Sequence, residues 1–352
     1  MNQRVVDAER ATTLLADLNC ERGFLLLYCI KFSLDISMNA PIIAISNITH
    51  EYPGRKALDD VSLQVSKGEI FGFLGPNGGG KTTMFKILST TIVPTNGRAE
   101  VCGFDVVLSS SEVRKHIGVV FQSPSLDIKL TVKENLRFQG LLQGLHGTAA
   151  AKRIDDVLRH LKLEDRKTDI VEKLSGGLQR RVEIGKGLLH RPDVLILDEP
   201  STGLDPGARQ DLWAYLFQLR SDTGITIVIT SHILEEAEHC DRLAILDKGT
   251  LVALGTPEKL KREVGGEVIS IVTKDPKELQ GLLKKKFRLK SSVLDDTIRV
   301  EKAKAHQFVP KIVEAFPGKI SAVSVGTPTL EDVFIHKTGH RLRNESLDEA
   351  GA

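Results

Sequence analysis

Residues 69–74 form a short apolar run that leads straight into Gly75-Pro76-Asn77-Gly78-Gly79-Gly80-Lys81-Thr82, and the pattern turns helical from 82 to 88. This is G-x-x-x-x-G-K-[ST] in the strand–loop–helix setting that gives the motif its meaning. Glycines let backbone N–H groups turn inward around phosphate oxygens, and the helix N-terminus adds a favourable dipole. Lys81 is placed to reach terminal phosphates, and Thr82 offers a hydroxyl to Mg²⁺. Gly75 to Lys81, with Thr82 and Thr83, are therefore the expected phosphate-binding residues.

The rest of the pattern says what kind of sheet carries that loop. Residues 42–50, 58–65 and 118–121 read as strands, and helical stretches fall at 131–142, 150–161 and 176–189. Residues 194–197 and 225–229 are continuous apolar runs, the mark of strands buried on both faces of a parallel sheet. The expectation is an α/β fold, in which ligands bind outside the carboxyl ends of the strands.

Three of these strand ends carry chemistry. Asp198-Glu199 closes the run at 194–197; Asp198 suits the magnesium-holding acid of a P-loop enzyme and Glu199 a group that polarises the attacking water. Taken alone, Asp-Glu-Pro is equally a turn that caps the segment from Ser201 onward. Leu174-Ser175-Gly176-Gly177-Leu178-Gln179 opens a helix, and in isolation Ser175 reads as its N-cap. Gln122, Tyr52 and His232, each taken singly, read as a strand-end hydrogen bonder, a rim aromatic and a turn histidine.

Their order along residues 42–255 resembles the nucleotide-binding subunit of an ATP-binding cassette (ABC) transporter. The resemblance implies a RecA-like parallel sheet core, an antiparallel β subdomain and a helical subdomain. It makes Gly75–Thr82 a Walker A loop, residues 174–179 the ABC signature, and residues 194–199 Walker B with Glu199 as catalytic glutamate. Gln122 becomes a contact to Mg²⁺ and water, Asp205 part of the D-loop, His232 the switch histidine at the γ-phosphate, and Tyr52 the aromatic that stacks on adenine. The set Glu199, His232, Gln122 and Lys81 would carry hydrolysis, and Thr82, Gln122 and Asp198 would hold Mg²⁺. Two departures stand out: Gly79 where the family more often has Ala or Ser, and Leu178 where glutamine often follows Ser-Gly-Gly.

The resemblance further implies a head-to-tail dimer, with itself or a homologous ATPase subunit, that sandwiches two ATP between the Walker A loop of one copy and Ser175, Gly176 and Gly177 of the other. A separate polytopic permease would be the membrane partner, touched by the apolar surface of the segment between Gln122 and Ser175. The chain would then lie on the cytoplasmic face of the plasma membrane. Residues 327–334, Thr-Pro-Thr-Leu-Glu-Asp-Val-Phe, resemble the tail of ATPases of the drug- and antibiotic-export branch. Locally they read as a threonine cap, an acidic first turn and an apolar stripe. A non-transport ABC ATPase acting on a ribosome or DNA is the second reading, and an inactive regulatory cassette the third.

Composition agrees with a globular chain. Of 352 residues, 41% are hydrophobic and 27% charged, which argues against disorder or several membrane spans. The net charge of +2 offers no strong basic field, so no nucleic-acid partner is expected. Cys20, Cys29, Cys102 and Cys240 lack C-x-x-C spacing, which argues against a zinc site or a disulfide framework. The run at 24–30 is far short of the ~20 apolar residues of a membrane-spanning helix. It reads either as part of a signal peptide or, preferably, as part of a poorly ordered extension over 1–39. The remaining expected parts are an ATP-binding domain over 40–256, a small α+β accessory domain over 257–340 and a frayed tail over 341–352. The basic run at 284–290 reads as a solvated face, with anionic lipid as the alternative.

Overall fold

The computed structural model describes residues 40–342, Lys290 excepted. The expected extension over 1–39, with Cys20 and Cys29, and the tail from 343 onward lie outside the described residues.

The chain begins with a long antiparallel hairpin, β1 (Ile43–Tyr52) and β2 (Arg55–Val65), which ends beside the phosphate loop. Strand β3 (Ile70–Leu74) is buried at every position and delivers the loop to α1 (Lys81–Leu88). Strands β4 (Asn96–Val101) and β5 (Phe104–Asp105) complete an antiparallel sheet of order β2-β1-β4-β5. Next come α2 (Ser110–His116), β6 (Ile117–Val120), α3 (Val132–Leu142), α4 (Gly147–Leu161) and α5 (Gly176–Leu188). The pattern alternates again through β7 (Val194–Asp198), α6 (Pro206–Thr223), β8 (Thr226–Ser231), α7 (Leu234–Ala237), β9 (Arg242–Asp247) and β10 (Thr250–Gly255). The central sheet runs β10-β9-β3-β8-β7-β6, parallel except for its β10 edge.

Alternation along the central strands divides the interior into two cores. Phe71, Phe73, Ile196 and Val228 face α1 and the antiparallel sheet, packing on Met84, Phe85, Ile43 and Leu58. Ile70, Leu195, Leu197, Ile227 and Ile229 face the other way and meet α3 to α6 through Leu136, Val157, Val182 and Leu216. With both faces covered, the continuous apolar runs seen in the sequence are the direct result.

The pattern reading does not place a helix over 206–223, where the structure has one. Asp205 caps α6 by accepting from the Ala208 N–H at 2.9 Å, Pro206 fills its first turn, and Leu212, Trp213, Leu216 and Leu219 are its buried side. Its polar residues are spread around the axis, so the 3.6-residue periodicity is weak.

After β10 come α8 (Pro257–Glu263), β11 (Glu267–Val272), α9 (Pro276–Phe287), β12 (Ser292–Leu294), β13 (Thr297–Lys302), α10 (Ala305–Ala315), β14 (Ala322–Gly326) and α11 (Leu330–Thr338). Their strands form a third sheet, β12-β13-β11-β14, antiparallel throughout. Ile269, Ile271, Leu279, Leu283, Ile298 and Ile312 form its own core. The last helix leaves that core. Thr329 caps α11 in a capping box with Asp332, and Leu330, Val333 and Phe334 pack beside Leu74, Leu243 and Ile245 of the central sheet. Among the described residues, no helix is long and apolar enough to cross a membrane.

Candidate active site

The phosphate loop is shaped by close backbone approach. At Gly80, φ is +110°, and a Cβ would stand 2.8 Å from the Ala57 carbonyl oxygen and the Leu58 side chain. At Gly75 a Cβ would fall 2.2 Å from the Leu246 carbonyl oxygen. Helix α1 begins without a side-chain cap, so its first N–H groups remain available to an anion. Lys81 is buried; its Nζ donates to the carbonyls of Gly75 at 2.9 Å and Pro76 at 3.0 Å and lies 3.6 Å from Glu199 Oε1. Burial pulls the ammonium's pKa down, opposed by the charge and hydrogen bond of Glu199.

Opposite stands the carboxyl end of β7. Thr230 on β8 donates its hydroxyl to Asp198 Oδ1 at 2.5 Å, and burial holds the Asp198 pKa above the usual carboxylate range. Glu199 turns off the strand with φ +45°, its N–H donating to the Thr230 carbonyl at 3.2 Å and hydroxyl at 3.0 Å. Its Oε2 accepts from Gln122 Nε2 at 3.2 Å and Thr202 Oγ1 at 3.3 Å. His232 Nδ1 is also 3.2 Å from Oε2, but off the hydrogen-bond line, so that buried nitrogen has no partner. Burial pushes the Glu199 pKa up; His232, Lys81 and Thr202 outweigh it and leave the carboxyl below its ordinary value.

These groups face a cavity of about 470 Å³. Its walls include the expected Tyr52, Asn77, Gly78, Gly80, Lys81, Thr82, Thr83, Gln122, Glu199 and His232. Gly75, Pro76, Gly79 and Asp198 support the wall rather than line it. Sequence reasoning missed Arg55 and Ala57, which also line the cavity, as does Thr202 of the segment read as the D-loop. Arg55 donates to the Gly78 carbonyl; its placement at the end of the hairpin that carries Tyr52 is a signal that was readable.

Ser175, Gly176, Gly177 and Asp205 do not line the cavity of their own chain. Ser175 caps α5, with its hydroxyl 3.4 Å from the Leu178 N–H. Gly176 and Gly177 lie against the α6 entry: a Cβ would meet Leu204 at 3.4 Å and Ala208 at 3.1 Å.

A further residue to which the sequence reading gave no role ties these parts together. Arg180 on α5 is buried and donates to the carbonyls of Pro200 at 2.9 Å, Phe121 at 2.8 Å and Asp198 at 3.1 Å, and to the Glu183 carboxylate at 2.6 Å. Glu183 in turn accepts from the Ser125 N–H at 2.7 Å. One guanidinium thus fixes the strand bearing Glu199 against the segment bearing Gln122.

A phosphate cradle at the mouth of a parallel sheet, flanked by an antiparallel sheet and a helical layer, defines an ATP-binding cassette of the P-loop class. Residues 58–202 match the family model for ABC transporters, and residues 255–338 match that for the C-terminal domain of DrrA1-3-like ATP-binding proteins. The chain is 37% identical over 312 residues to the daunorubicin resistance ATP-binding protein DrrA3 of Streptomyces coeruleorubidus, covering 86% of this chain and 97% of that one. It is 35% identical to the linearmycin resistance ATP-binding protein LnrL of Bacillus subtilis (strain 168), covering 85% and 98%. The solved dimeric cassette MJ0796, in a post-hydrolysis state with ADP and Pi, matches with a TM-score of 0.55 and 28% identity over 61% of this chain and 98% of that one. The chain belongs to the ABC transporter ATP-binding proteins, in the branch of drug-resistance ATPases, and is an ATPase. The reading as a ribosome- or DNA-acting ATPase finds no support in these similarities.

Proposed function

We propose that this chain is the ATP-driven motor of an exporter for drug-like or antibiotic compounds, and that Glu199 is its catalytic base. The observation that carries the assignment is the convergence of Lys81, Gln122, Thr202 and His232 on the Glu199 carboxylate at the wall of the cavity. In this reading Tyr52 stacks on adenine, the amides of Asn77 to Thr82 hold the phosphates, and Lys81 leaves the loop carbonyls for the terminal phosphates. Glu199 polarises the water, and His232 bonds the γ-phosphate. The oxygen donors of Thr82, Asp198 and Gln122 suit Mg²⁺, a hard cation that favours oxygen ligands. The ion would neutralise charge on the phosphoryl group in transfer.

The position of Ser175, Gly176, Gly177 and Asp205 outside their own cavity supports a head-to-tail dimer in which they complete the site of another copy. The γ-phosphate then bridges the two copies, which gives the differential affinity that closure requires. Residues 40–256 act as the ATP-binding part and 257–340 as an accessory part.

The groove between the core and the helical layer fits the permease. It is lined by Phe121, Gln139, Gln143 and Lys186, and α3 exposes Phe138 and Leu142 nearby. Phe121 adjoins Gln122, so a displacement there reaches Glu199 through one hydrogen bond. The membrane face is the cytoplasmic one, where ATP is supplied. Drug-like cargo is supported by the resistance functions named for the relatives. The test is to solubilise membranes gently and identify what co-purifies with the tagged chain. A stoichiometric polytopic protein that stimulates phosphate release supports the motor; recovery with no membrane protein sinks it.

A further inference from the structure

Away from the nucleotide cavity, three elements bring together side chains of a different chemistry. Cys102 occupies the two-residue turn between β4 and β5, His116 ends α2, and Asp193 precedes β7. One metal-ligating atom from each lies within 4.8 Å of the other two. His116 Nδ1 is 2.6 Å from Asp193 Oδ2, and the Asp193 N–H donates to the His116 carbonyl at 2.9 Å. The Phe104 ring stacks on the His116 ring at 5.3 Å and 20°, holding the imidazole in place. Among the described residues, no other three His, Cys, Asp or Glu side chains are so grouped.

The turn itself adds an observation. Cys102 and Gly103 have φ of +53° and +80°, the pairing of a type I′ hairpin, whose first place ordinarily takes Asn, Asp or Gly. A cysteine there accepts a left-handed backbone and gains a thiol aimed at the His–Asp pair.

We infer that Cys102, His116 and Asp193 form a binding site for a borderline-soft divalent cation, Zn²⁺ being the best fit, which staples the antiparallel sheet to the central one. Thiolate and carboxylate together balance the charge of the dication, and a thiolate–imidazole set favours zinc over the oxygen-seeking Mg²⁺. Zinc bond lengths of about 2.0–2.3 Å imply ligand separations of roughly 3.3–3.8 Å in a tetrahedron, so shifts of about 1 Å bring Cys102 inward and part the hydrogen-bonded His116–Asp193 pair. Binding forms a Zn–S bond, and the Cys102 thiol proton leaves to solvent. The fourth position is left to water. Cysteine spacing alone gave no sign of the site, because its partners lie 14 and 91 residues further along the chain.

The test is Co²⁺ titration of the full chain in excess Mg²⁺, followed by displacement with Zn²⁺. One equivalent giving a thiolate-to-cobalt charge-transfer band, abolished by Cys102→Ser and weakened at least about tenfold by His116→Ala or Asp193→Asn, is expected. Thermal melts and ATP binding of the variants serve as folding controls. If Cys102→Ser fails to fold, alkylation of wild-type Cys102 read by peptide mass decides: Zn²⁺ should slow it at least about tenfold. No band, a band that survives in Cys102→Ser, or alkylation indifferent to Zn²⁺ reduces the cluster to a hydrogen-bonded one and overturns the proposal.

Discussion

The Nζ of Lys81 lies 3.6 Å from Oε1 of Glu199, with side chains only 3% and 8% exposed. The two arrive from different parts of the fold, one from the start of α1 and the other from the end of β7. Glu199 opposes the fall that burial imposes on the Lys81 pKa, and His232, Lys81 and Thr202 together hold the Glu199 carboxyl below its ordinary value.

Glu199→Gln keeps the shape of the site but removes the base. Phosphate release should fall by about 10²–10⁴-fold, with ATP affinity retained and a dimer accumulating in ATP. Phosphate-release kinetics and size-exclusion chromatography read both; wild-type-like turnover would refute the base.

Tyr52 is 38% exposed at the cavity rim and meets His50 edge-on at 4.6 Å, so it is free to receive a base. Tyr52→Ala should weaken nucleotide binding by about 1–3 kcal/mol, the range for aromatic–base stacking, and leave saturated turnover nearly intact. Equilibrium binding of a fluorescent ATP analogue decides; unchanged affinity contradicts the stacking role.

Arg180→Met would strip the hydrogen bonds from the Phe121, Asp198 and Pro200 carbonyls and leave the Glu183 carboxylate buried without its cation. Breaking a buried pair in this way costs about 3–5 kcal/mol. Urea unfolding should reveal that loss, and the denaturation midpoint of a well-folded variant near wild type would argue against the hub.

Phe334 is fully buried in the core that α11 shares with Leu74, at the end of the strand that carries the phosphate loop. Phe334→Ala should cost about 3–5 kcal/mol and raise hydrogen exchange in α11 before β11 and β13. Uniform exchange across the accessory part would mean that α11 is anchored by other contacts.

Acid should unlock the Glu199 cluster. Its folded pKa lies below the ordinary 4.5, so the unfolded state binds more protons as pH falls. The contribution to stability is present above 4.5 and is lost as pH drops through the folded value. His232→Ala removes a group that lowers this pKa, so the stability lost to acid should be smaller than in the wild type. Unfolding midpoints measured across the acid range test it, and superimposable wild-type and variant profiles would refute it.

Local chemistry made much of the site legible. Lys81 and Thr82 declared themselves because a phosphate loop needs contiguous glycines between strand and helix, and Asp198-Glu199 because they end an unbroken apolar run. Arg55 and Arg180 did not, since each acts through backbone carbonyls that no spacing rule encodes. Helix α6 escaped notice because its polar residues surround the axis, although Asp205 and Pro206 mark its start.

The sequence by itself determined the class of chemistry, the parallel sheet and the order of the motifs, because these depend on residue type and on short-range periodicity. Only the tertiary structure decided which side chains meet. It set Gln122, Thr202 and His232 around Glu199, left Ser175 outside the lining of its own cavity, laid α11 on the central sheet, and brought Cys102 beside His116 and Asp193. Such meetings arise from how sheets twist and cores fill, a balance of packing over the whole chain that no local stretch contains.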